Sequence, residues 1–100
     1  MQDRVSRKLF LAFMEIHILH HASKEPIYGT WMMDELKNHG YEVSSGTIYP
    51  IFHTLEKEHL LESKDVNVNG KIRKYYSITS EGLEVLNDAK SKIKELTHKI

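Results

Sequence analysis

Residues 61–78, LESKDVNVNGKIRKYYSI, hold the reading on which the fold turns. Asn69-Gly70 is a dipeptide that accepts the positive φ angles of a tight hairpin turn, and an extended segment leads into it from Leu61 to Val66. Beyond it, Lys71 to Ile78 alternates with period two: Ile72, Lys74, Tyr76 and Ile78 on one face, Lys71, Arg73, Tyr75 and Ser77 on the other. Two strands alone are marginal in water, so this hairpin requires helices to lean on.

The helices lie on both sides of it. Upstream, Ser44, Ser45 and Thr47 all offer N-cap oxygens for a third helix, whose inward stripe is Ile48, Phe52, Leu55 and His59, closed by Leu60 and Leu61. With Thr47 as the cap, Pro50 falls at the third helical position, where its missing N–H has no intrahelical partner to lose. Before that, a second helix is predicted from Tyr28 to about Asn38, stopped by Gly40. A first helix spans Asp3 to Ala22, with Leu9, Phe13, Ile16 and His20 at spacings of three and four and Phe10, Met14 and His17 beside them. Arg4, Arg7 and Lys8 give it a basic start, unfavourable at the positive end of a helix dipole. Downstream, a last helix runs from about Ser80 to Ile100, capped by Thr79 or Ser80. Leu86, Ile93 and Ile100 are spaced by seven with Ala89 and Leu96 between them, a short a/d heptad pattern.

The order helix, helix, helix, hairpin, helix predicts a mainly α fold with a β-hairpin wing. It is a winged helix-turn-helix over residues 1–79 with a C-terminal dimerisation helix over 80–100, in one structural unit. One hundred residues suit a single domain. The longest unbroken apolar run, Leu9 to Met14, is six residues against the roughly 20 of a membrane helix, and no secretory signal is legible. A cytoplasmic protein without membrane contact is expected. The absence of cysteine excludes disulfides, thiolate metal sites and cysteine nucleophiles. No phosphate loop, nucleophile motif or apolar carboxylate pair is present, so neither catalysis nor a cofactor is expected.

Lysine and arginine together number 14, as do aspartate and glutamate, so any nucleic-acid contact must come from a local patch rather than a diffuse basic surface. Two segments provide one. From Ser44 to Leu55 there is no charged residue, and the outward positions Ser44, Ser45, Thr47, Tyr49, His53 and Thr54 offer hydroxyls and an imidazole to phosphates and base edges. The hairpin adds Lys64, Lys71, Arg73 and Lys74, with Asp65 the one acid between Lys64 and Ile78. The heptads of the last helix imply a second copy of the chain, with Phe10, Phe13, Met14, Leu86, Ala89, Ile93, Leu96 and Ile100 at the interface.

At Ile27-Tyr28-Gly29, Ser45-Gly46-Thr47-Ile48-Tyr49-Pro50, Leu55-Glu56, Arg73-Lys74-Tyr75-Tyr76-Ser77-Ile78-Thr79 and Gly82 the chain resembles the PadR family of transcriptional regulators. The likeness runs from about Leu9 to Gly82. It implies a homodimeric winged-helix repressor on double-stranded DNA, with Ser45, Thr47, Tyr49 and His53 toward the operator and Arg73 and Lys74 on the wing. With one helix after the wing, the chain looks like the short subfamily. The resemblance leaves room for a small-molecule effector. Some short members bind flat aromatic drugs through aromatic residues in their C-terminal helices, but no aromatic residue follows Tyr76 here. His53 and Thr54 stand where the family commonly has arginine, and His59 where it frequently has glycine.

Two rival readings remain at this level. A winged helix can bind protein instead of DNA, which the zero net charge would suit. His17 and His21, four apart, with His20 beside them, could serve a metal-responsive regulator. Ordinary packed or solvated histidines account for them better, since no His-Glu-x-x-His pattern or third ligand is legible, and no metal ligand is assigned.

Overall fold

The structure, a computed structural model, describes residues 3–99. Its elements are α1 (Arg4–Lys24), α2 (Gly29–Asn38), α3 (Ser45–Lys57), β1 (Leu61–Val68), β2 (Lys71–Ile78) and α4 (Ser80–Lys99). The two strands form one antiparallel hairpin, giving the mainly helical winged arrangement. Val68 pairs with Lys71, so Asn69 and Gly70 alone make the turn, at φ +52° and +83°. A two-residue turn leaves Asn67 and Val68 opposite Ile72 and Lys71, which is why β1 runs two residues past the expected Val66.

The core is built from Met14, Ile18, Leu19 and Ala22 of α1, Met32 and Leu36 of α2, and Ile48, Ile51, Phe52 and Leu55 of α3. Ile27, Leu61, Tyr76 and Leu86 complete it. Tyr76 is the hairpin's main anchor, its ring 4.5 Å from that of Phe52. Met14 and Met32 are fully buried, while Phe13 and Trp31 pack against this core from its edge.

In α1 the buried face is Met14, Ile18 and Ala22. The expected stripe of Leu9, Phe13, Ile16 and His20 lies beside it, on the wall of an open groove toward α4, and Leu9 is 69% exposed. The basic start of α1 is offset by Asp3. Its carboxylate caps the helix by accepting the Ser6 N–H at 2.6 Å, a bond that lowers the Asp3 pKa.

The cap of α3 is Ser44 rather than Thr47, so Pro50 sits at the sixth helical position. There its missing N–H leaves the Gly46 carbonyl without the usual helical donor. Both residues are exposed, where water can satisfy the oxygen.

Helices α2 and α3 end in the same way. Gly40 (φ +89°) and His59 (φ +63°) each adopt the left-handed conformation past the cap. The next residue then donates five positions back, Tyr41 N–H to Leu36 O and Leu60 N–H to Leu55 O, both at 2.9 Å. His59 is therefore exposed and terminates the helix instead of joining its inward stripe. An L-residue is strained at this φ where glycine is not. His59→Gly should raise stability by about 0.5–1 kcal/mol, read as a higher urea midpoint at unchanged slope.

Thr79 closes the base of the hairpin. Its N–H donates to Leu60 O at 3.1 Å, and its hydroxyl donates to His59 O at 2.6 Å and accepts the Gly82 N–H at 3.0 Å. One residue thus ties the end of α3 to the start of α4 and caps the latter.

Candidate nucleic-acid interface

The wing is set against α3 from both strands, through one face of the hairpin, since Ser63 and Tyr76 are paired across it. Tyr76 points inward to Phe52, and the Ser63 hydroxyl of β1 donates to the Glu56 carboxylate of α3. Between wing and helix lies a groove of about 520 Å³, lined by Tyr28, Gly29, Thr30, Tyr49, Val68, Asn69, Lys71, Ile72, Arg73, Lys74 and Tyr76.

Of the residues expected to meet DNA, the structure brings Tyr49, Lys71, Arg73 and Lys74 together here. Ser45 and His53 are exposed on α3, and Thr47 is half-buried, 3.3 Å from the Ser44 hydroxyl through its own. Ser44 itself borders a different depression, shared with Asp34 and Glu42, and Lys64 lies in a cleft with Glu25 and Glu62. These two are apart from the groove and beside carboxylates. Lys64 and Arg73 nonetheless share one hairpin face through their pairing with Tyr75 and Val66, while Lys74 occupies the other face opposite Asp65.

Among the described residues, Lys64, Lys71, Arg73 and Lys74 enter no ion pair. Arg73 is held by an aromatic ring instead, with its guanidinium carbon 4.0 Å from the centre of Tyr28. The groove is consequently positive and bordered by the uncharged stretch of α3 from Ser45 to Leu55. Tyr28, Gly29 and Thr30 are the lining residues that periodicity and charge did not single out. Their signal is the Tyr28-Gly29 pair, which enters the sequence reading as a helix start and as part of the family likeness, not as a groove wall.

The dimer residues divide. Met14 and Leu86 are 0% and 1% exposed, buried within their own chain, and so cannot face a partner. Heptad spacing alone does not distinguish a seam that faces the home core from one that faces outward. Phe10 is half-buried, and Phe13, Ala89 and Ile93 line an apolar groove of about 520 Å³ between α1 and α4. Ile93 and Leu96 are 48% and 59% exposed. Ile100 lies outside the described residues.

The histidines are engaged with neighbours. His17 meets Phe13 edge-on at 4.4 Å, and burial, reinforced by His21 and His39, lowers its pKa. His21 and His39 both approach the Glu35 carboxylate, at 3.7 and 3.2 Å. His20 Nδ1 is 3.1 Å from Lys90 Nζ, and burial first, then that charge, lowers its pKa. Among the described residues no three such groups converge as a metal site would require, and no helix is long and apolar enough to cross a membrane.

A family model described as the transcriptional regulator PadR-like family matches residues 18–88. Rv3488, a transcriptional regulator of Mycobacterium tuberculosis, is 38% identical over 94 residues, spanning 94% of this chain and 88% of that one. A PadR-like transcription factor from Bacteroides fragilis superposes with a TM-score of 0.86 at 31% identity, covering 97% of this chain and 95% of its own. A PadR-like regulator from Bacillus cereus gives 0.81 at 34% identity, covering 92% and 91%.

Proposed function

The chain belongs to the PadR-like family of transcriptional regulators, and from that footing we propose that it is a homodimeric repressor that grips a palindromic operator through the groove between wing and α3. The observation that supports this most is the wing's unneutralised charge beside the acid-free stretch of α3 up to Leu55. Among the described residues, Lys71, Arg73 and Lys74 line the groove without an acidic partner within ion-pair distance, and no charged residue occurs from Ser44 to Leu55. In this reading the exposed Ser45 and His53, with Thr47 and Tyr49, meet base edges and phosphates, while the wing lies along the sugar-phosphate backbone. The α1–α4 groove, with Ile93 and Leu96, receives the second protomer. For such a dimer to read successive major grooves, its two copies of α3 should lie about 34 Å apart, one duplex turn.

The chain's relatives regulate transcription and are not enzymes, and neither is this chain. The test is fluorescence anisotropy against the duplex flanking its own gene, titrated with salt. Arg73→Ala and Lys74→Ala should each weaken binding on all sequences and flatten the dependence of log K on log salt by about one unit per lost contact. An affinity indifferent to both sequence and salt would contradict the reading.

A further inference from the structure

Three consecutive residues at the start of α2, Ile27 to Gly29, make three contacts that the operator-binding reading does not use. Ile27 is bridged to the wing through its backbone: its N–H donates to Tyr76 O at 2.9 Å and its carbonyl accepts the Tyr76 N–H at 2.7 Å. Tyr28 lies beneath the Arg73 guanidinium at 4.0 Å and is met edge-on by Tyr75 at 5.3 Å. Gly29 is buried against the Tyr49 ring, so closely that a Cβ there would stand 2.5 Å from Tyr49 Cζ and Oη. One short segment therefore holds the base of the wing, the wing's arginine and a tyrosine of α3.

We propose that Tyr28 is a positioning residue for DNA binding, its ring holding the Arg73 guanidinium over the wing–helix groove before any duplex arrives. The chemistry of the pair favours this over a merely structural contact. A carboxylate partner would fix an arginine by neutralising it. An aromatic face fixes it while leaving its charge intact, and it occupies the guanidinium's face so that the N–H edges stay free for phosphate oxygens. A free arginine side chain gives up considerable rotamer freedom when it binds, and one already stacked has less to lose. Arg73 has no acid within ion-pair distance among the described residues and is half-buried, while its neighbours Lys71, Ile72 and Lys74 are exposed. It is the one cation of this strand with a fixed seat.

The proposal rests on the operator-binding reading, and its test separates the two. Against the duplex flanking the gene, Tyr28→Leu should weaken binding about tenfold, the product of roughly threefold at each of two wings. Tyr28→Phe, which keeps the ring face, should stay within about twofold of the wild type. In an Arg73→Ala background, Tyr28→Leu should add nothing further. In the DNA-free protein, the Arg73 side-chain protons should resonate upfield under the Tyr28 ring current and return toward random-coil positions in Tyr28→Leu. Wild-type affinity in Tyr28→Leu, or an equal loss with and without Arg73, would overturn the positioning role while leaving DNA binding intact. A wild-type chain that binds no duplex at low salt would overturn both.

Discussion

Gly82→Ala should destabilise the protein by about 3 kcal/mol, lowering the melting temperature by roughly 15 °C, as read by circular dichroism. The reason is local. A Cβ on Gly82 would overlap the backbone carbonyl oxygen of Leu60 and lie 2.8 Å from Ile78 Cγ1. That carbonyl cannot swing away, because it accepts the Thr79 N–H at the base of the wing. Making room means lifting α4 from the end of α3 or releasing Thr79, which also caps α4 through the Gly82 N–H. Either route disturbs the seat of Leu86, one turn further on and 1% exposed. Helix propensity alone would favour alanine, so the sign of the change is itself diagnostic. Gly46→Ala provides the contrast. Its nearest neighbour is the Ser44 hydroxyl oxygen at 3.7 Å, and the substitution should leave the melting temperature unchanged or slightly raised. A Gly82→Ala protein that melts with the wild type would contradict the packing described at this corner.

The second large effect concerns assembly. Ile93→Glu with Leu96→Glu should leave each protomer folded, since both side chains are about half exposed and neither belongs to the core. It should hold the chain at 11.7 kDa in sedimentation and lower operator affinity by on the order of 10²-fold or more. The logic is bivalence: two linked half-site readers bind as one, and separation returns each to its own weak affinity. Two carboxylates per subunit in an apolar seam would meet two more across the symmetry axis, at a cost in both desolvation and repulsion. Persistence of the dimer in this variant would move the interface elsewhere. An unchanged operator affinity in a proven monomer would remove the need for one.

Much of this molecule can be read from its residue order, and the exceptions have identifiable causes. The turn at Asn69-Gly70, the stop at Gly40 and the alternation through Tyr76 are local signals, each set by backbone sterics or by period. Long-range facts were harder. Heptad spacing located the apolar positions of α4, yet Leu86 belongs to the home core and Leu96 to the surface, because only the first half of the helix lies over the rest of the chain. In α1 the stripe through Leu9, Phe13 and Ile16 is real, but it faces a groove, and the core takes the neighbouring Met14 and Ile18.

The same limit applies to the interface. Charge counting points to Lys71, Arg73 and Lys74, which the fold gathers along one groove. It points equally to Lys64, and the run of hydroxyls to Ser44, which tertiary placement sets apart from that groove, beside glutamates and an aspartate. Tyr28 was not found because its role depends on a residue 45 positions away, a pairing that no periodicity reports. His59 looked like a core histidine by spacing, and only the backbone angle shows it as a helix terminator.

From Lys90 to Lys99, α4 has every residue exposed. A free-standing stretch of that length is close to the coil threshold in water, even with the Lys92–Asp88 and Lys99–Glu95 pairs to help it. In the proposed dimer, contacts with the second copy would steady its winding. Amide hydrogens along this stretch should exchange with deuterium quickly in dilute solution and slowly in concentrated solution.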